Sequence, residues 1–208
     1  FIEGENAKER LRKKITLEKE LAFLLSELGM PNARFSIQIH ATDTCYSNGK
    51  DQIEFLFSAN KGGNFGELKK VASGGELSRI MLAIKKVLSE NTQLPTIVFD
   101  EIDTGVSGEV SNKIATIMQQ MSTQMQVITI THLPQIAAKG NQHYKVFKEE
   151  INNVTTTSLK QLSEDERIVE IAEMLSGKNI SDSAMTVLDF RRNLLMTPLK
   201  NRVKLVGI

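Results

Sequence analysis

Apolar positions along the chain follow two periods, one of three to four residues and one of two, which separate candidate helices from candidate strands. Between Glu5 and Leu28 the charges are dense and of both signs, and Leu17, Leu21, Leu24 and Leu28 step by four, three and four. That spacing matches the seam of a coiled coil and predicts one helix, ended by Gly29, Met30 and Pro31. Packing against its own domain would explain so short a seam, and the charged stretch before it suits a longer helical arm continuing upstream. Residues 1–29 are therefore expected to form a coiled-coil stub entering a head. Phe35, Ile37, Ile39 and Ala41, then Ile53, Phe55 and Phe57, alternate with mostly polar residues around an Asn48-Gly49 turn. Two half-buried strands, paired antiparallel, follow from this alternation. Ser58 to Lys70 reads as a polar loop with three glycines.

Ser73-Gly74-Gly75-Glu76 then forms a capping box before a helical stripe of Leu77, Ile80, Met81, Ile84, Val87 and Leu88. After Pro95 the run Thr96-Ile97-Val98-Phe99 is the pattern of a strand buried on both faces, and Asp100-Glu101 stand at its carboxyl end. A helix with Val110, Ile114, Ile117, Met118 and Met121 on one side leads to a second buried strand through Val127, Ile128 and Ile130, which ends in Thr131-His132-Leu133-Pro134. Strand, helix and strand of this length predict a right-handed parallel crossover. Tyr144–Lys148 and Val154–Lys160 read as a hairpin. Ser163-Glu164-Asp165-Glu166 caps a helix through Leu175 that closes at Gly177, and Ser181 starts a last helix through Leu195. No repeat or interdomain linker breaks residues 30–195, which are expected to form one α/β lobe, and the tail 196–208 has no assigned structure.

Composition changes little in this picture. The chain has 208 residues, 40% hydrophobic and 25% charged, enough to bury a core without disulfide or metal staples. Twenty-six Lys and Arg against 25 Asp and Glu leave a net charge of +1, so any surface for a polyanion must be local. One cysteine, Cys45, and no long apolar run predict a cytoplasmic protein of a reducing compartment, with no membrane partner. Cys45 is expected to be a bystander and the eight methionines core filler. The start at Phe1 rather than Met suggests an excerpt whose upstream residues are missing.

Chemistry enters through three elements. Two carboxylates at the carboxyl end of a parallel strand lie where open α/β sheets place ligands. Asp beside Glu there is what a Mg²⁺-nucleotide hydrolase requires: Asp100 for the hydrated metal, Glu101 to orient and deprotonate the attacking water. Two acidic residues at a solvated loop entry would give the same pattern. The Ser-Gly-Gly-Glu element offers a second anion site, because glycines let a phosphate approach the backbone and the first helical turn presents free N–H groups; a capped helix alone would also account for it. His132 is a third polar group delivered to the same sheet edge, where a lone histidine is commonly structural.

The motifs carry a resemblance. Val71-Ala72-Ser73-Gly74-Gly75-Glu76-Leu77-Ser78-Arg79 resembles the ABC ATPase signature, Thr96-Ile97-Val98-Phe99-Asp100-Glu101 resembles Walker B with its catalytic glutamate, and Thr131-His132 matches the switch histidine. The runs ASGGELSR, FDEIDTGVSG, THLPQIA and ERIVEIAEMLSG together are similar to the carboxyl-terminal half of the RecN family, bacterial SMC-like double-strand-break repair ATPases, over about residues 21–195. The resemblance implies a P-loop NTPase-like ABC head lobe that works with ATP and Mg²⁺. It implies that Asp100 binds Mg²⁺, Glu101 serves as general base and His132 contacts the γ-phosphate, while Ser73, Gly74, Gly75 and Glu76 touch nucleotide held by an opposing head. Asp103 to Gly108 would form the D-loop; many relatives have Asp where this chain has Ser107, so Ser107 takes no catalytic role.

One departure matters. Both Gly-Lys pairs, Gly49-Lys50 and Gly177-Lys178, lack the rest of a phosphate-binding loop. In the family that loop lies in an amino-terminal lobe beyond a long coiled coil. The expected partners are thus that lobe, a second head joined through sandwiched ATP, and DNA bound without sequence preference in a bacterial, nucleoid-associated setting. Alone, this chain is expected to bind ATP weakly or not at all and to hydrolyse none. The alternatives are a noncatalytic assembly module whose association nucleotide controls, and the head of another coiled-coil ABC repair ATPase, RecF-like or SMC-like. DNA contact rests on the resemblance alone: Glu3, Glu5, Glu9, Glu18 and Glu20 interleave with Arg10, Arg12, Lys13 and Lys14, the pattern of a solvated helix face.

Overall fold

The computed structural model describes residues 2–46, 49–92, 94–100, 102–103, 105–106, 108–151, 154–176 and 203–207. The chain divides into two compact units, Phe1–Val87 and Leu88–Ile208.

In the first unit, α1 (Ile2–Glu27) leads into β1 (Arg34–Tyr46), β2 (Gly49–Ser58) and β3 (Gly66–Glu67), followed by α2 (Leu68–Val71) and α3 (Gly74–Asn91), which runs past the unit's end. α1 stops where Gly29 takes a left-handed φ of 78°, and Met30 N–H reaches back to the Leu25 carbonyl at 2.9 Å, a Schellman-type closure. Leu21, Leu25 and Leu28 are buried, whereas Leu11 and Ile15 nearer the amino end are exposed. The buried seam thus passes through Leu25 where the leucine spacing pointed to Leu24, which is half-buried. The carboxyl-terminal part of α1 is the packed part, and α1 lies against β1. Glu18 Oε1 accepts the Ile37 N–H at 2.7 Å and ties the helix to that strand.

β1 and β2 pair antiparallel with Phe35 opposite Phe57 and Ile37 opposite Phe55, as their alternation predicts. Burial on this shared face fades from Phe57, fully buried, to Phe55 and Ile53, about half exposed, because α1 covers only its inner end. The expected loop 58–70 contains β3, paired to β2, and the start of α2. Along α3, Ile80 and Val87 are buried as expected, but Leu82 and Ala83 join them, while Met81 and Leu88 are exposed.

The second unit is built on a five-stranded sheet of order β4-β5-β8-β6-β7, from β4 (Thr96–Asp100), β5 (Gln126–Thr131), β6 (Gln142–Ile151), β7 (Val154–Gln161) and β8 (Val203–Gly207). β4, β5, β8 and β6 run parallel, and β7 closes an antiparallel hairpin with β6. α4 (Gly108–Met121) is the crossover between β4 and β5 and buries Ile114, Ala115, Ile117, Met118 and Met121. α5 (Pro134–Ala137) packs against α4 and against α6 (Glu164–Ser176). Arg167 of α6, nearly buried, donates to the Ala138 carbonyl at 3.0 Å, and Lys145 of β6 pairs with Glu170 and Glu173.

Three expectations are corrected here. β4 is not buried on both faces: Phe99 is buried but Val98 is 58% exposed, because β4 is the edge of this sheet and has a neighbour on one side only. β5 buries Val127, Thr129 and Thr131, while Ile128 and Ile130 on its other face are half-buried. The tail, unassigned from its sequence, supplies β8, a strand between β5 and β6. The helix expected over 181–195 and its preceding Gly177 lie outside the described residues.

Candidate functional site

Asp100 ends β4 and His132 follows the last residue of β5. These strands pair in parallel register with Asp100 opposite Ile130, so both side chains emerge at one carboxyl edge of the sheet. Asp100 is exposed and the His132 side chain is 64% exposed, so both are open to a ligand. Glu101 lies outside the described residues.

Behind this edge the backbone turns through Ile102 and Asp103, both buried, and Gly105, whose φ of 72° a residue with a side chain would adopt only under strain. In the sequence Asp103 stands out only as part of the D-loop run. Its carboxylate is fully buried, and Oδ2 accepts the hydroxyl of Thr131, the residue before His132. Thr131 Oγ1 in turn accepts the Leu133 N–H at 3.0 Å. The backbone on either side of His132 is therefore held from within, and the sequence signal for it is an acidic residue three after Asp100 together with a hydroxyl just before the histidine.

Ser73, Gly74, Gly75 and Glu76 belong to the first unit, at the start of α3. The predicted capping box is formed: Ser73 N–H donates to Glu76 Oε2 at 2.8 Å, and Glu76 N–H donates to Ser73 Oγ at 3.4 Å. The Ser73 N–H bond, then its hydroxyl, lowers the Glu76 carboxyl below its ordinary range, with Arg79 adding a smaller pull. Ser73 and Gly74 are exposed, and a Cβ on Gly74 would meet nothing within 4 Å. Internal packing therefore does not require this glycine.

The basic cluster of α1 is largely neutralised: Lys13 pairs with Glu9, Lys14 with Glu18 and Arg10 with Asp51. Among the described residues no group of three or more His, Cys, Asp or Glu could hold a metal by itself. No described helix is long and apolar enough to cross a membrane.

No protein-family model matches the chain. The DNA repair protein RecN of Rickettsia prowazekii is 42% identical to it over 171 residues, which cover 82% of this chain and 31% of that relative. The chain thus spans about a third of the length of the curated relatives it matches. An Smc head domain with a coiled coil and joint, derived from Pyrococcus yayanosii, is similar with a TM-score of 0.59 at 19% identity, over 84% of this chain and 32% of that one. A structure solved in work on ATP-driven dimerization and DNA-stimulated activation of SMC ATPases matches with a TM-score of 0.50 at 17% identity, over 83% of this chain and 99% of that one. The two structural likenesses establish the SMC-head fold.

Proposed function

The chain belongs to the RecN family of DNA repair proteins across the segment it spans, and on that premise we propose that it is the carboxyl-terminal lobe of an SMC-like ATPase head. ATP sandwiched between two such heads closes them, hydrolysis releases them, and the closure acts on DNA during recombinational double-strand-break repair. The observation that carries this reading is the delivery of Asp100 and His132 to one sheet edge by adjacent parallel strands, the position at which such sheets hold nucleotides.

The donors present suit Mg²⁺ better than a metal caged by protein. One exposed carboxylate, with no cluster of three or more His, Cys, Asp or Glu among the described residues, would suit an ion that keeps most of its water. Bound there, Mg²⁺ would neutralise charge on the phosphates. Asp100 would hold the hydrated ion, Glu101 would take the proton of the attacking water, and His132 would hydrogen-bond the γ-phosphate. Ser73, Gly74, Gly75 and Glu76 serve the opposing head's nucleotide: the exposed Gly74 and half-buried Gly75 admit the phosphates to the helix amino end, whose N–H groups donate to them, while Glu76 keeps Ser73 in place. The other partners are the amino-terminal lobe of the same protein and DNA contacted through its backbone. The isolated chain, having no phosphate-binding loop, is inactive by itself.

Glu101→Gln in the full-length protein tests the reading. It should lower turnover by at least about a hundredfold, the scale of a lost general base, and leave ATP-dependent dimers trapped in size-exclusion chromatography. Turnover at the wild-type rate would instead favour a noncatalytic assembly module.

A further inference from the structure

The buried carboxylate of Asp103 is only half used. Oδ2 takes the Thr131 hydroxyl, but Oδ1 has no hydrogen-bond partner among the described residues although it is sealed from solvent. A buried acceptor left empty is unfavourable, and a charged one more so. A candidate donor is His132 Nδ1, 3.9 Å from Oδ1. The histidine side chain is mostly exposed and free to turn, so a movement of about 1 Å brings the ring into hydrogen-bond range.

The backbone around the ring is already fixed. Thr131 is 2% exposed, its hydroxyl bridges Asp103 and the Leu133 N–H, and His132 lies between these two anchored residues. Among the described residues, none makes a hydrogen bond to the ring itself. In an imidazole whose Nδ1–H is donated to a carboxylate, Nε2 on the far edge is the free nitrogen, an acceptor in the neutral ring and a donor in the imidazolium, with its direction set by the buried group.

We propose that Asp103 is a positioning residue for His132: Oδ2 fixes the chain through Thr131, and Oδ1 accepts the His132 Nδ1–H, which aims Nε2 at the terminal phosphate, to which Nε2 donates once the ring has taken a second proton from solvent, as an imidazolium held by the Asp103 carboxylate. This rests on the ATPase reading for its purpose, but not for its geometry. Asp103 itself touches no substrate; it acts through the histidine.

The geometry is tested on the 208-residue chain by long-range proton–nitrogen NMR of histidine-labelled protein at about pH 8, where an ordinary imidazole is neutral. The chain has three histidines, and His132→Gln identifies the signal. The expected result is an Nδ1–H tautomer for His132 that shifts toward Nε2–H in Asp103→Asn, because an amide can offer its oxygen to only one of the two partners. An Nε2–H tautomer in the wild type, or an unchanged spectrum in Asp103→Asn, overturns the proposal. If that variant does not fold, the wild-type tautomer decides alone.

In the full-length protein, Asp103→Asn should lower kcat by about tenfold to a hundredfold with KM within about a factor of two, the pattern of a group supporting the reacting one. Unchanged kcat overturns the positioning role. Absence of ATP turnover in the wild-type full-length protein would count against the ATPase reading instead, with the tautomer still deciding the geometry.

Discussion

Two capping boxes of the same chemistry occur in this chain, and their comparison isolates what is particular about Ser73. Ser163 and Glu166 exchange the same pair of bonds, at 2.9 Å and 3.3 Å, as Ser73 and Glu76 do. Lys160 first, and then the Ser163 N–H, bring Glu166 down to about 2. The cap alone therefore says nothing about a ligand; the difference is the glycine that follows Ser73, with open space around it. Gly74→Ala should leave the isolated chain at least as stable, by about 0.5–1 kcal/mol if anything, since alanine is the better helix former. In the full-length protein the added methyl should weaken ATP-dependent head association. Thermal melting and chromatography with ATP measure the two effects, and intact association would remove Gly74 from the nucleotide contact. His143 of β6 belongs to another part of the second unit and reports on the core. It is 1% exposed, both ring nitrogens find no partner among the described residues, and burial, with the Arg167 and Lys145 charges behind it, pushes its pKa down to about 4. The unfolded chain binds this proton near pH 6.5 and the folded chain only near 4, so stability is full above about pH 6.5 and is lost as pH falls between them, about 2 kcal/mol by pH 5. His143→Leu should flatten the melting temperature between pH 7 and 5; an unchanged slope would assign the acid sensitivity elsewhere. At this scale the caps were legible because each is a local pattern. The burial of Asp103 and His143 was not, because it depends on strands distant in sequence.

Elements were legible as far as their periods are local. The β1–β2 pair, the β4–α4–β5 crossover and the β6–β7 hairpin stand where alternation and helical stripes placed them. What failed was burial that depends on sheet order. A run such as Thr96–Phe99 is apolar enough for a strand covered on both faces, yet β4 lies at an edge, and nothing within the run encodes that. β8, five residues of Val203–Gly207, is too short to show a period, and its pairing with β5 and β6 joins residues about 60 to 75 positions apart. α1 shows the same limit in reverse: leucine spacing gave a helix, while contact with β1 selected Leu25 over Leu24. Leu25→Ala should cost the isolated chain about 2–5 kcal/mol, as buried leucine truncations do. Leu11→Ala, on the exposed part of α1, should change it by less than about 0.5 kcal/mol. Urea unfolding compares them, and equal effects would mean that α1 is not held along the seam described.

At the scale of the whole molecule, the chain spans about a third of its relatives' length. Its runs resemble a signature, a Walker B strand end and a switch histidine, but it has no phosphate-binding loop motif. The reading requires each nucleotide to be held by parts of two heads, Asp100, Glu101 and His132 from one and Ser73 to Glu76 from the other. The most direct measurement mixes two full-length variants, Ser73→Arg and Glu101→Gln, each inactive as a homodimer. In a mixed dimer one composite site carries both lesions and the other neither. An equimolar mixture should therefore recover about a quarter of wild-type ATP turnover, the share expected for random pairing of two-fold dimers. A mixture as inactive as its two components would contradict the shared site.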